Sequence, residues 1–265
     1  MDLGMKGRVA IVCAASQGLG KATALGLARE GAHVVLCSRN KRRLAAAAQE
    51  VAAGASSGSR VIPVVADLTK ASHIRSLVSR AAKEFKRIDI LVTNAGGPPV
   101  AGFPELDDDR WEEGIDLTLM SAIRCIRGVL PFMQRQHWGR VIAITSISAK
   151  QPIDDLIVSS TLRPGILGLI KVLANQYGRE GILFNSVAPG FILTGRQQEI
   201  GTARGAKRGI TAEAYMAELA AAVPVGRYGD PEELANVIVF LASERASYVN
   251  GAAIGVDGGL LKGLY

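Results

Sequence analysis

The chain has 265 residues, 48% of them apolar, and a formal net charge of +7. That length and apolar share suit one large domain with a full core, and the absence of an unbroken apolar run of about 18 residues, or of a basic-plus-apolar leader before Lys6, predicts neither a membrane span nor a secretion signal. The basic residues are scattered, without a nucleic-acid motif or interleaved aromatics, so the charge reads as local anion handling and solubility rather than nucleic-acid binding.

Apolar runs of strand length recur at 8–13, 33–37, 61–65, 88–93, 140–145 and 182–187. Helical periodicity fills the intervals at about 19–30, 39–53, 71–86, 109–136 and 161–178, and again at 230–243 before a last strand near 252–256. Strand-helix alternation predicts an α/β fold, a single-domain Rossmann-type three-layer α/β/α sandwich with a seven-stranded parallel sheet, over residues 1–265. The Ala-rich stretch 45–55 reads as a helix running out into the loop Gly54 to Ser59. The stretch 191–227, rich in Gly, Arg and Lys with a short helical segment near 211–222, reads as a mobile flap over a site. Cys13, Cys37 and Cys125 are odd in number and lack ligand spacing, so reduced buried thiols, no metal and a cytoplasmic address are expected.

The first strand runs into Cys13-Ala14-Ala15-Ser16-Gln17-Gly18-Leu19-Gly20 and then a helix. In that setting backbone N–H groups and a helix N-terminus hold a phosphate; an ordinary strand-to-helix turn is the competing reading. Arg39, Lys41, Arg42 and Arg43 crowd the start of the next helix, where the macrodipole disfavours positive charge unless an anion is near. The second strand ends in Ser38-Arg39 in place of the acid that holds a ribose 2′-hydroxyl, so NADP(H) is favoured over NAD(H), with a solvated basic face as the alternative.

Further on come Asp67-Leu68-Thr69, Thr93-Asn94-Ala95-Gly96, Ser146, Val187-Ala188-Pro189-Gly190 with Ile192 and Thr194, then Pro224-Val225-Gly226-Arg227 and Val256-Asp257-Gly258-Gly259. This ordered set, across essentially the whole chain, resembles the short-chain dehydrogenase/reductase family, especially its 3-oxoacyl-acyl-carrier-protein reductases. The resemblance implies that Asp67 binds the adenine amine, that Asn94, Ala95 and Gly96 line the ribose, and that Pro189 to Thr194 hold the nicotinamide amide. It also implies a dimer or tetramer formed through the helices at 109–136 and 161–178.

The family's catalytic Asn-Ser-Tyr-Lys set falls on Thr118, Ser146, Ser159 and Arg163, so only Ser146 is kept. A serine hydroxyl is far less acidic than a phenol near 10, and an arginine stays charged, so neither replaces the missing proton donor. Asp154, Asp155 or a held water are the remaining candidates, with a solvated loop as the plain reading of the two acids. Pro164 predicts a late or kinked start to its helix. The family's first glycine falls on Ala14, which is tolerable if its φ stays negative. Two functions follow. One is an NADP(H)-dependent oxidoreductase acting on a ketone or alcohol, a 3-oxoacyl thioester among them. The other is a dinucleotide-binding relative without turnover. The basic flap residues Arg196, Arg204, Lys207 and Arg208 suit an acidic substrate or simply a solvated surface.

Overall fold

The computed structural model describes residues 1–98 and 100–263; Pro99, Leu264 and Tyr265 of the expected domain lie outside them. Seven strands, β1 (Val9–Val12), β2 (His33–Ser38), β3 (Val61–Val65), β4 (Ile90–Thr93), β5 (Gly139–Ile144), β6 (Ile182–Pro189) and β7 (Ala253–Val256), form one sheet in the order β3-β2-β1-β4-β5-β6-β7. Every neighbouring pair is parallel. The order reverses between β1 and β4, and a crevice opens there beyond the carboxyl ends of the strands.

The strands read as continuous apolar runs because both faces are covered. Ala10, Val12, Val34 and Leu36 face one layer, with Leu27 of α1 (Gly18–Arg29). Leu234 and Ile238 of a later helix, Pro231–Ala242, join the same layer. The alternate residues Ile11, Cys13, Val35 and Cys37 face the other layer. That layer holds Leu77 of the helix Ala71–Phe85, Val129 and Met133 of the helix Ser121–Gln136, and Ile166 and Ile170 of the helix Ile157–Tyr177. In chain order the remaining helices are α2 (Lys41–Ala53), α3 (Ala71–Phe85), α4 (Asp108–Gly114), α5 (Ser121–Gln136), α6 (Ile157–Tyr177), α7 (Gly195–Lys207), α8 (Ala212–Ala222) and α9 (Pro231–Ala242). The three cysteines are buried and free, with Cys13 Sγ 3.9 Å from Cys125 Sγ. Contact with Cys125, then burial, hold the Cys13 thiol well above its ordinary value.

Three expectations are corrected. The single helix at 109–136 is two helices joined by a π-helical stretch, Ile115–Met120. The helix at 161–178 begins earlier, at Ile157, with Pro164 inside it. Burial of Val158, Leu162, Ile166 and Ile170 along one face outweighs the roughly 3 kcal/mol that an interior proline costs. The same helix is long and apolar enough to cross a membrane, but its buried face packs into the core. Finally, the flap holds two helices rather than one: the segment near 211–222 is α8, as expected, but α7 occupies 195–207, which reads as loop. Gly201 and Gly205 let the two helices close together, since a Cβ on Gly201 would stand 2.9 Å from Met216 and one on Gly205 3.0 Å from the Ile210 carbonyl oxygen.

Candidate functional site

A cleft of about 440 Å³ runs along the carboxyl ends of β3, β2, β1, β4, β5 and β6. It is lined by Ala14, Ser16, Gln17, Gly18, Leu19, Ser38, Arg39, Asp67, Leu68, Asn94, Ala95, Gly96, Ser146, Ser159, Arg163, Pro189, Gly190, Ile192 and Thr194. Of the expected catalytic and cofactor-binding residues, Gly20, Thr118 and Asp155 fall outside that lining, as does the alternative proton donor Asp154.

At the β1 end the chain folds back tightly. Ala14 has φ 48° and Gly18 φ 54°. The condition placed on Ala14, a negative φ, is therefore not met: the alanine adopts the left-handed conformation itself. A Cβ on Gly20 would lie 2.6 Å from the Ala14 carbonyl oxygen, so Gly20 shapes the turn from behind it. Gln17 is the N-cap of α1 but its side chain does not cap it, which leaves the first N–H groups free for an anion.

Ser38 donates to Ser16 at 2.9 Å, which fixes the rim between β1 and β2. Arg39 and Arg43 line the cleft beside them, and the Asn40 side chain caps α2 by accepting from Arg43 N at 2.9 Å. Asp67 accepts from Thr69 N at 3.0 Å and Thr69 Oγ1 at 2.8 Å. Burial raises its pKa, but these bonds and the charges of Arg39 and Lys70 outweigh burial and leave the carboxyl below its ordinary value. Free helix N–H groups, two arginines and the tight turn fit a dinucleotide that carries an extra phosphate on its adenosine ribose.

At the β5 end Ser146 caps the 3₁₀ turn Ile147–Ala149, its Oγ accepting from Ser148 N at 3.1 Å. Ser159, in the first turn of α6, is buried and lies 2.8 Å from Ser148 Oγ. Arg163 is 9% exposed, and its Nη1 donates to the carbonyls of Ile144 at 3.3 Å and of Thr145. Its Nε has no partner, and burial alone pushes its pKa down to about 10. Thr118 is buried in the π-helical stretch with its hydroxyl unpartnered. With Arg163 it lines a separate cavity of about 10 Å³, about the size of one water.

Asp155 is paired with Arg204 of α7 at 2.6 Å and stands away from the cleft. The flap's charges are mostly neutralised in the same way, Arg196 by Glu199 at 3.7 Å and Arg208 by Glu218 at 2.6 Å. This favours the solvated-surface reading of the flap. Residues not anticipated as lining include Leu117, Gln197 and Ile200. The last two went unseen because α7 reads as a loop, and Leu117 because nothing in its neighbourhood marks the π-helical stretch.

A family model described as enoyl-(acyl carrier protein) reductase matches residues 13–261. A 3-oxoacyl-acyl-carrier-protein reductase of Thermotoga maritima is 32% identical over 97% of this chain and 99% of its own. The chain belongs to the short-chain dehydrogenase/reductase family. Another relative, the D-beta-hydroxybutyrate dehydrogenase of Cupriavidus necator, is 34% identical over 96% of this chain and 98% of its own. Among solved structures, L-sorbose reductase from Gluconobacter frateurii, complexed with NADPH and L-sorbose, superposes with a TM-score of 0.94 at 35% identity, over the whole of both chains. An actinorhodin polyketide ketoreductase with NADPH gives 0.92 at 29%, covering 97% of this chain and 98% of that one.

Proposed function

We propose that the protein is an NADP(H)-dependent oxidoreductase that interconverts a ketone and an alcohol. The observation that carries this reading is the continuity of the cleft, from Arg39 and Asp67 past the uncapped start of α1 to Ser146, Ser159 and Arg163. Arg39, with Arg43 and Ser38, would hold the 2′-phosphate, the α1 N-terminus the pyrophosphate, and Pro189 to Thr194 the nicotinamide amide. When bound, NADPH supplies the hydride.

Reduction of a ketone also needs a proton at its oxygen. Ser146 donates a hydrogen bond to that oxygen as negative charge develops there, a contribution worth about 10²–10³-fold per donor in other enzymes. Ser148 N donates to Ser146 Oγ, which holds the hydroxyl in place and polarises its O–H. Arg163 keeps the local potential positive and offers donors to ribose hydroxyls. The proton itself comes from a held water, because Asp155 is committed to Arg204 and Asp154 is exposed and outside the cleft lining. Losing a phenol donor removes about 10²–10⁴-fold, which slows turnover without abolishing it, since positioning supplies more.

The substrate is a small carbonyl or alcohol compound, with 3-oxoacyl thioesters in the panel to be tested. A cytoplasmic address and a dimer or tetramer belong to the same reading; half-exposed Val172 on α6 and Ile115 beside α4 give these helices apolar surface to pair. A second reading, dinucleotide binding without turnover, is favoured by one contact, the Ser159 hydroxyl spent on Ser148. The test is fluorescence titration with NADPH and NADH, followed by a panel of β-keto thioesters, quinones and simple ketones. Tighter binding of NADPH with its oxidation is expected. Binding with no oxidation across the panel would replace the enzyme by the second reading.

A further inference from the structure

The cleft contains a cationic charge that no acidic side chain among the described residues balances. Arg163 is nine-tenths buried, its Nη1 is used on two backbone carbonyls, and its Nε has no partner. No carboxylate of the described residues lies within ion-pair distance of it, and burial lowers its pKa. The one carboxylate lining the cleft is Asp67, which follows β3. Arg163 grips the end of β5, four strand spacings or roughly 19 Å away. The polar side chains that share the water-sized cavity with Arg163, those of Thr93, Asn94, Thr118 and Ser121, are neutral.

A desolvated cation with neutral surroundings is costly unless an anion joins it. A sugar hydroxyl can accept from an accessible guanidinium N–H but leaves the charge uncompensated. The missing group therefore has to arrive with a ligand. We propose that the carbonyl substrate of this site is an oxo acid whose carboxylate pairs with Arg163. The guanidinium reaches the carbonyl of Thr145, the residue before Ser146, so its partner and the carbonyl held by Ser146 lie within a few bonds of each other. That spacing selects 2-oxo and 3-oxo acids. The inference rests on the oxidoreductase reading for the word substrate, but its binding test does not require turnover.

The experiment is calorimetric titration of the protein, with and without saturating NADP⁺, by acetoacetate and by its uncharged methyl ester. Acetoacetate binding about tenfold more tightly than the ester is expected, the size of one charge-assisted hydrogen bond. The preference disappears in Arg163→Met, survives in Arg163→Lys, and survives in Arg196→Gln, which removes another cation lining the cleft. Equal affinity for acid and ester in the unsubstituted protein overturns the proposal. So does a preference that persists in a folded Arg163→Met protein, or one lost in Arg196→Gln. Should Arg163→Met not fold, the acid-to-ester ratio and the Arg196→Gln protein still decide. An acid preference with no NADPH oxidation by either compound supports the anion site and sinks only the oxidoreductase reading. Oxidation with equal affinities does the reverse.

Discussion

Ser159 directs its hydroxyl at Ser148, 2.8 Å away, with both residues buried beside the cleft that Ser159 lines. A phenol at 159 cannot make that short bond and is expected to project into the cleft, where it would meet the carbonyl that Ser146 is proposed to hold. Ser159→Tyr combined with Arg163→Lys is therefore expected to raise kcat for ketone reduction by at least about tenfold, within the 10²–10⁴-fold that general acids supply. Steady-state NADPH oxidation measures it. Ser146→Ala should lower kcat in both backgrounds; a double variant no faster than the parent would mean the cleft excludes the ring.

Ala14 holds φ at 48°, a conformation that costs an L-residue roughly 1–2 kcal/mol. Replacing it with glycine removes that strain but adds chain entropy to the unfolded state, so Ala14→Gly is expected to stabilise by about 0.5–1 kcal/mol in urea unfolding. Gly20→Ala is the opposite case, because its Cβ would sit 2.6 Å from the Ala14 carbonyl oxygen. That variant should lose NADPH affinity together with stability. An Ala14→Gly protein less stable than the parent would show that the methyl group packs better than the strain costs.

These two residues mark how far the sequence can be read. The β1 turn, the basic start of α2 and the register of Ser146, Ser159 and Arg163 are local patterns, and local patterns place residues along a chain well. The sign of φ at Ala14 is not local: Ala15 N donates to the Cys37 carbonyl across the β1–β2 pair, which fixes the turn whatever its first residue. Pro164 misleads in the same way, since burial along α6 decides where the helix starts. In α7 the glycines at 201 and 205 look like loop residues until α8 is packed against them. The Arg204–Asp155 pair, 49 residues apart in sequence, carries no sequence signal at all.

Arg39 lines the cleft and is one of the charges that hold the Asp67 carboxyl low. If it meets a 2′-phosphate, Arg39→Ala should weaken NADPH binding about 10–100-fold, the range for one charge-assisted bond, and leave NADH unchanged. Raising salt should narrow the gap between the two cofactors in the parent and not in the variant. Fluorescence titration reads both, and an equal loss for NADPH and NADH would assign Arg39 to the fold instead.

Asp155 and Arg204 tie the loop before α6 to α7, 2.6 Å apart with Asp155 about half exposed. Exposed pairs contribute about 0–1 kcal/mol, so Asp155→Asn should barely move stability. Acting as a latch on the flap, the pair is expected to change KM more than kcat, and the charge reversal Asp155→Arg with Arg204→Asp should restore KM. A fall in kcat of about 10²-fold or more in Asp155→Asn, with an altered pH profile, would make Asp155 the proton donor after all.

Arg163 offers a stability test independent of any substrate. Burial pushes its pKa down to about 10, so between pH 10 and the ordinary guanidinium range the unfolded chain binds more protons than the folded one. Stability from this group therefore rises with pH across that window, and below pH 10 the penalty for holding the charge is fully present, on the order of 3 kcal/mol. Arg163→Met removes the penalty but forfeits two hydrogen bonds to the Ile144 and Thr145 carbonyls, worth about 1 kcal/mol each. The net expectation is a Tm equal to the parent's or a few degrees higher. By contrast Leu162→Ala, one residue away and equally buried, should cost about 2–5 kcal/mol. A Tm several degrees lower in Arg163→Met would mean that the carbonyl bonds outweigh the buried charge, and would remove the physical need for an anionic partner.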